Sequence, residues 1–171
     1  SKRSYSTYAY ILNTPRFNVG RGLANSFLYT ALGTLVGVSV TYISAFVLSR
    51  KRFVHRYWMM TAIINTWVFD AGIIPQYIVY NTFGFVDNIW VMVIPGAINT
   101  QFLIIAKTFL DGVPQELEEA AFMDGADDYT ILFRVFVPLS STILATLSVF
   151  YAVSIWNQYL IPQIYFKDVN L

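Results

Sequence analysis

Between Arg21 and Arg50 the sequence carries no charged residue, and between Arg134 and Lys167 it again carries none. Runs of this length are the strongest constraint on what the chain can fold into. The apolar part of the first, from about Ala24 to Leu48, exceeds the roughly 20 residues a helix needs to cross a bilayer. Charged residues make up only 12% of the chain, against about 25% in a soluble domain. That leaves too little polar surface to coat a globule in water, so a lipid bilayer is the expected solvent.

Three further apolar stretches follow the first. One runs from about Tyr57 to Tyr80 and is interrupted by Asp70, Gly72 and Pro75. The next, about Ile89 to Ala106, contains Pro95-Gly96, Asn99 and Gln101. The last, about Leu139 to Tyr159, sits within the second charge-free run. Stretches of this length fit helices rather than barrel strands, which are about 10 residues long and alternate strictly. The expected fold is all-α, a polytopic membrane helix bundle with four spans. It forms a single domain over residues 1–171, with a polar insertion at 107–138.

Orientation follows from basic residues near span ends. Arg50, Lys51, Arg52 and Arg56 cluster after the first span, whereas residues 81–88 hold Asp87 and no Lys or Arg. The 50–56 loop is therefore expected in the cytoplasm and 81–88 outside, which returns 107–138 to the cytoplasm. Lys2, Arg3, Arg16 and Arg21 oppose this assignment weakly. The basic cluster is most simply a positive-inside anchor; contact with a cytoplasmic partner or with acidic lipid headgroups is the other reading. The first residues, SKRSYSTYAYILNTPRF, lack the apolar core of a signal peptide, and the chain is expected to be a piece of a longer one.

Several chemistries are excluded. There is no cysteine, so disulfides, thiol catalysis and Cys-ligated metals are out. The lone histidine, His55, has no companion ligand in its neighbourhood. A net charge of +1 argues against a nucleic-acid partner. No G-x-x-x-x-G-K-[ST] loop is present to cradle phosphates, so this chain is not expected to hydrolyse ATP. Glu118 and Glu119 are not a catalytic pair, because adjacent helical residues do not face each other.

The polar segment reads as two short helices. Pro114 suits a first helical turn, and Glu116, Glu118 and Glu119 follow near the positive end of the helix dipole. Leu117, Ala120 and Ala121 share a face at i, i+3, i+4. Gly125 is a helix stop, and Asp127 or Asp128 can cap a second helix. In that helix Tyr129, Leu132, Phe133 and Phe136 recur at i, i+3, i+4, i+7. A solvated loop kept in water by its acids competes here with a docking element for a cytoplasmic partner.

The spacing is specific. Glu119-Ala120-Ala121, then Asp124-Gly125-Ala126, then Val135, Val137, Pro138 and Leu139 resemble the EAA signature of ATP-binding-cassette (ABC) importer permeases. In that signature Gly falls four residues after the second Ala, and two aliphatic residues precede Pro. VPQELEEAA, FRVFVPL, IWNQYLIP at 155–162 and IWVMVIPGAINTQFLIIAKTFL at 89–110 resemble the carbohydrate-uptake branch, similar to the smaller maltose permease subunit. The resemblance covers roughly residues 20 to 165.

It implies a type I importer permease fold with a six-helix core, so that one span lies before Ser1 and one after Leu171. It implies a bacterial cytoplasmic (inner) membrane location and coupling helices seated in an ATPase groove. Glu119 and Gly125 match the two most characteristic positions, with Ala120, Ala121, Asp124 and Ala126 shaping the rest. The implied partners are a homologous second permease, two ATPase subunits that bind ATP and Mg, and a solute-binding protein docking near residues 1–20, 81–88 and 160–171. The chain itself binds no cofactor and no metal in this reading. The implied substrate is a sugar or oligosaccharide. An importer for amino acids or a polyamine, an ATP-independent secondary transporter or channel, and a membrane scaffold or intramembrane enzyme are the alternatives.

The pathway residues are open at this level. Asp70 carries a charge whose burial at bilayer depth costs about 2.5–3.5 kcal/mol on insertion scales. It either lines a pathway or caps the helix broken at Gly72-Pro75. Asn65, Asn99, Gln101, Asn157 and Gln158 either contact substrate or serve as interhelical hydrogen-bonding groups. Trp67, Trp156 and Tyr159 either stack on sugar rings or anchor span ends at the interface.

Overall fold

The computed structural model describes residues 19–166, and every described element is helical. In chain order they are α1 (Val19–Ser49), α2 (Arg56–Val68), α3 (Ile73–Thr82), α4 (Trp90–Val93), α5 (Thr100–Asp111) and α6 (Gln115–Met123). Then come α7 (Asp128–Leu139), α8 (Ser141–Trp156) and α9 (Leu160–Tyr165).

Among the described residues α1 is the one continuous helix long and apolar enough to cross a membrane. At 31 residues it extends about 45 Å at 1.5 Å per residue. The second expected span forms as a pair, α2 and α3, bent by 115° at the break around Asp70. There Gly72 adopts a φ of 80°, which its lack of a Cβ permits. The fourth expected stretch folds into the 16-residue α8, which α7 meets at 81° across the fully buried Ser140. The third expected span is corrected. Residues 94–99 are non-helical, so the stretch divides into the one-turn α4 and the separate α5. Pro95 has no N–H to continue a ladder, and Asn99 restarts it by capping. The Asn99 side chain accepts from the amides of Gln101 at 2.9 Å and Phe102 at 3.3 Å. The restarted helix runs past Ala106 to Asp111, held by a Lys107–Asp111 pair at 2.6 Å.

The core lies where α1, α5, α7 and α8 meet. Tyr42, Ala45, Phe46 and Leu48 pack there with Leu103, Ala106 and Leu110, with Ile131, Leu132 and Phe136, and with Ile143 and Leu147. Between α1 and α8 the contact depends on two glycines one turn apart. A Cβ at Gly33 would sit 2.7 Å from Ile155 Cδ1, and one at Gly37 would sit 2.7 Å from two ring carbons of Tyr151. Lipid tails are as apolar as leucine, so helices in a bilayer associate through close packing, which small residues four apart allow. One turn further on, Thr41 Oγ1 lies 2.6 Å from the Tyr151 hydroxyl, which also accepts the Asn99 backbone N–H at 3.0 Å. A single phenol thus ties α1 and α8 to the start of α5. A second, smaller cluster gathers Val91 and Met92 of α4 with Tyr165 of α9 and the Tyr77 and Tyr80 rings of α3.

Candidate functional site

Residues 114–139 form helix, turn, helix. Pro114 adopts an extended ψ of 133° at the cap position, and α6 begins at Gln115. The helix ends in a Schellman motif. Ala126 N–H donates to the Ala121 carbonyl at 3.0 Å, and Gly125 N–H donates to Phe122 at 2.9 Å. Gly125 takes a φ of 79°. This termination needs a residue free to adopt positive φ at the position after the cap, four residues beyond the acceptor carbonyl. The spacing from Ala121 to Gly125 is that geometry. Ala121 and Ala126 are both half-buried against the core, where their size lets the turn close.

The face of α6 that packs inward is Glu118, Ala121 and Phe122. Leu117 and Ala120, expected to share a face with Ala121, turn outward and are exposed. Glu119, Asp124 and Gly125 are exposed as well, and Met123 is 88% exposed. Glu119 accepts a hydrogen bond from the Gln115 amide at 3.1 Å, one turn back on the same surface.

Asp127 starts α7 by accepting the Thr130 N–H at 3.0 Å. The Thr130 side chain and backbone amide hold the Asp127 carboxyl below its ordinary value. Residues Ile131–Phe136 then wind as a π-helix, whose i→i+5 bonding places more residues in each turn. This divides the expected apolar stripe. Ile131, Leu132 and Phe136 are buried, while Tyr129 and Phe133 are 74% and 59% exposed.

Arg50 fastens α6 to the rest of the molecule. It leaves the end of α1 and donates from Nη1 to Glu118 Oε2 at 2.7 Å. From Nη2 it donates to the Leu110 carbonyl at 3.1 Å. Its guanidinium carbon lies 4.4 Å from the ring centroid of Phe136 and 5.1 Å from that of Phe46. The outer pair Arg52–Asp128 is solvent-exposed, and Arg52 also lies over the Phe122 ring. Between this corner and residues 110–119 opens a cleft of about 490 Å³ with both basic and acidic walls.

Residues 33–171 match the family of binding-protein-dependent transport system inner membrane components. The chain belongs to this family. It is 36% identical over 96% of its length to the polygalacturonan/rhamnogalacturonan transport system permease protein of Bacillus subtilis (strain 168), of which it covers 57%. It is 35% identical over 94% of its length to protein LplC of the same organism, covering 54% of that protein. Its structure matches a chain of a bacterial ABC transporter involved in the import of the acidic polysaccharide alginate. That match has a TM-score of 0.90 and 30% identity, and covers 96% of this chain and 58% of that one. The chain therefore spans a little over half the length of the family members it matches.

The remaining sequence-predicted residues of this family member are dispersed. Asn65 and Trp67 are exposed on α2. Asp70 sits in the α2–α3 break, accepting the Gly72 N–H at 3.2 Å and the Gln76 amide at 3.1 Å. Asn99 is spent as the cap of α5, and Gln101 is exposed in that helix's first turn. Asn157 ends α8, donating to the Val153 carbonyl at 2.9 Å. It lines a pocket of about 240 Å³ with Tyr159, and Trp156 lines a neighbouring one of about 340 Å³ with Asn25, Ser26 and Gln163. Of the residues proposed to bind the solute-binding protein, 1–18 and 167–171 lie outside the described structure.

Sequence reasoning did not single out Gly33 and Gly37, although their four-residue spacing was a legible signal for close helix packing. It also did not place Tyr151 at a helix junction or Glu118 under Arg50, for which no local signal exists.

Proposed function

We propose that this chain is the greater part of a multi-pass permease subunit of an ATP-driven importer in the bacterial inner membrane. Its cargo is a sugar or oligosaccharide delivered by a solute-binding protein. The observation that carries the reading is the turn at Gly125, which presents Glu119, Ala120, Met123 and Asp124 on one exposed surface. That surface is shaped to seat in a groove of an ATPase subunit, with the acidic side chains meeting basic ones. ATP and Mg belong to that partner, and a second, homologous permease completes the pathway.

Relatives named for polygalacturonan/rhamnogalacturonan transport and for alginate import support a carbohydrate cargo. Basic residues Arg50 to Arg56 beside the turn support its placement in the cytoplasm. Closure of the two ATPase subunits would swing the docked helices and rock the permease halves between inward-open and outward-open states, a rigid-body transition.

The test is reconstitution in proteoliposomes. Glu119→Lys or Gly125→Pro abolishes uptake while the solute-binding protein still binds its sugar. Deleting residues 114–138 abolishes co-purification of the ATPase. Undiminished uptake by either substituted protein refutes the reading, as does an ATPase that stays bound after the deletion. Uptake assayed across oligosaccharides, amino acids and polyamines identifies the cargo.

A further inference from the structure

The docking surface would be useless to a transporter if α6 swung freely on its loops. We infer that Arg50, through Glu118, is the positioning residue that makes the turn and α1 move as one body. This inference rests on the permease reading above and names the joint through which motion leaves the docked helix.

Four elements converge on the one guanidinium. It follows directly on α1, bonds the Glu118 carboxylate of α6 and the Leu110 carbonyl near the end of α5, and lies against the Phe136 ring of α7. Ser49 Oγ accepts from its Nε at 3.0 Å and Nη2 at 2.9 Å, so the group is bonded on both edges and covered on its faces. The Arg50 and Glu118 side chains are 10% and 13% exposed. The flexible stem and fan of donors of a surface arginine are here held in one geometry. A planar guanidinium suits this role because its donors point in fixed directions and its faces stack on rings, which a lysine ammonium does neither of. The neighbouring Arg52–Asp128 pair ties the loop after α1 to α7 rather than to α6 and is 59% exposed on both sides, so Arg50–Glu118 is the ion pair that holds α6 here. From α1 the motion passes directly to α8, through the glycine contacts at Ile155 and Tyr151.

A purely structural role and a coupling role differ in one readout. If Arg50–Glu118 only holds the fold together, its loss lowers the yield of assembled transporter and leaves solute moved per ATP unchanged. If the pair transmits motion, assembled transporter carrying Glu118→Gln still hydrolyses ATP at a rate within about twofold of wild type. Solute moved per ATP then falls about tenfold or more, within the range of ordinary coupling energies. Single substitutions leave a buried charge unpaired and can prevent folding. Arg50→Met combined with Glu118→Leu removes both charges together, and the same fall in the ratio is expected of it.

An arm independent of ATPase binding uses the absence of cysteine in the chain. Spin labels at Leu35→Cys on α1 and Leu117→Cys on α6, both exposed, report a narrow distance distribution in the otherwise wild-type protein. With Glu118→Gln or the double substitution the distribution broadens. A transport ratio within about twofold of wild type in assembled variants, or an unbroadened distribution, overturns the inference. If the wild-type chain fails to retain any ATPase, the functional proposal falls, and the spin-label distances still decide whether Arg50 locks α6 to α1.

Discussion

Gly37 of α1 lies flat against the ring of Tyr151 of α8, close enough that a single added methyl would fall 2.7 Å from two ring carbons. The ring cannot retreat easily, because its hydroxyl is held by Thr41 at 2.6 Å and by the Asn99 N–H at 3.0 Å. Gly37→Ala is expected to cost about 1–3 kcal/mol, the usual penalty for overpacking a well-filled contact. Gly33→Ala meets the tip of Ile155, which can change rotamer, and is expected to cost less. Thermal unfolding of the two purified variants in detergent checks the order.

Tyr151→Phe keeps the ring and removes the hydroxyl. Thr41 Oγ1 and the Asn99 N–H each lose a partner in a buried junction. A loss of about 1–3 kcal/mol follows from leaving a donor unsatisfied. Faster hydrogen exchange at the Asn99 amide is the local signature, and an unchanged rate there would show that the phenol does not hold the α5 start.

Gly125 has open space where a Cβ would go, so a substitution there is opposed by backbone conformation alone. Gly125→Ala is expected to cost about 1–2 kcal/mol, the left-handed penalty for an L residue. Gly125→Asn should be milder, since Asn tolerates that region. The Ala126 amide, bonded to Ala121, should exchange faster in the order Gly, Asn, Ala at position 125.

Asp127 gives the α7 start a pH dependence of definite sign. Its carboxyl is held below the ordinary value by Thr130, so the folded state favours the ionised form. The contribution is fully present above the unfolded carboxylate value and is lost as pH falls through the depressed folded one. Following the Thr130 amide resonance against pH should show a transition below the usual aspartate range. Asp127→Asn, which can still accept that hydrogen bond, should abolish the transition while keeping the cap, and Asp127→Ala should abolish both.

Much of the architecture is legible in residue order because it depends on near neighbours. The charge-free run 22–49 becomes one helix since it holds no proline to break the ladder and no charge to oppose the bilayer. The stop at Gly125 and the cap at Asp127 are likewise local, each closed by hydrogen bonds spanning at most five residues. The third stretch was less readable. Pro95 and Gly96 are visible there, yet whether a proline kinks a span or divides it depends on what satisfies the freed backbone groups. Here the break is sustained by the Asn99 cap and by the phenol of Tyr151, which is 52 residues from Asn99. The π-helical turn at Ile131–Phe136 similarly separated Tyr129 and Phe133 from the buried side of a stripe that regular α periodicity would have kept together.

Composition, charge spacing and local stop signals were enough to specify a helical membrane protein with a helix-turn-helix insertion, and its motif spacing placed it in its family. Which glutamate of the acidic run turns inward was not specified locally. Glu116, Glu118 and Glu119 are all compatible with the start of a helix, and only packing brings Arg50, 68 residues away, against Glu118. Helix propensities and caps act over one turn, whereas a buried ion pair needs two elements already docked to exclude water from both charges. The exposed face of α6, which carries Glu119, Ala120 and Met123, is the consequence of that long-range choice.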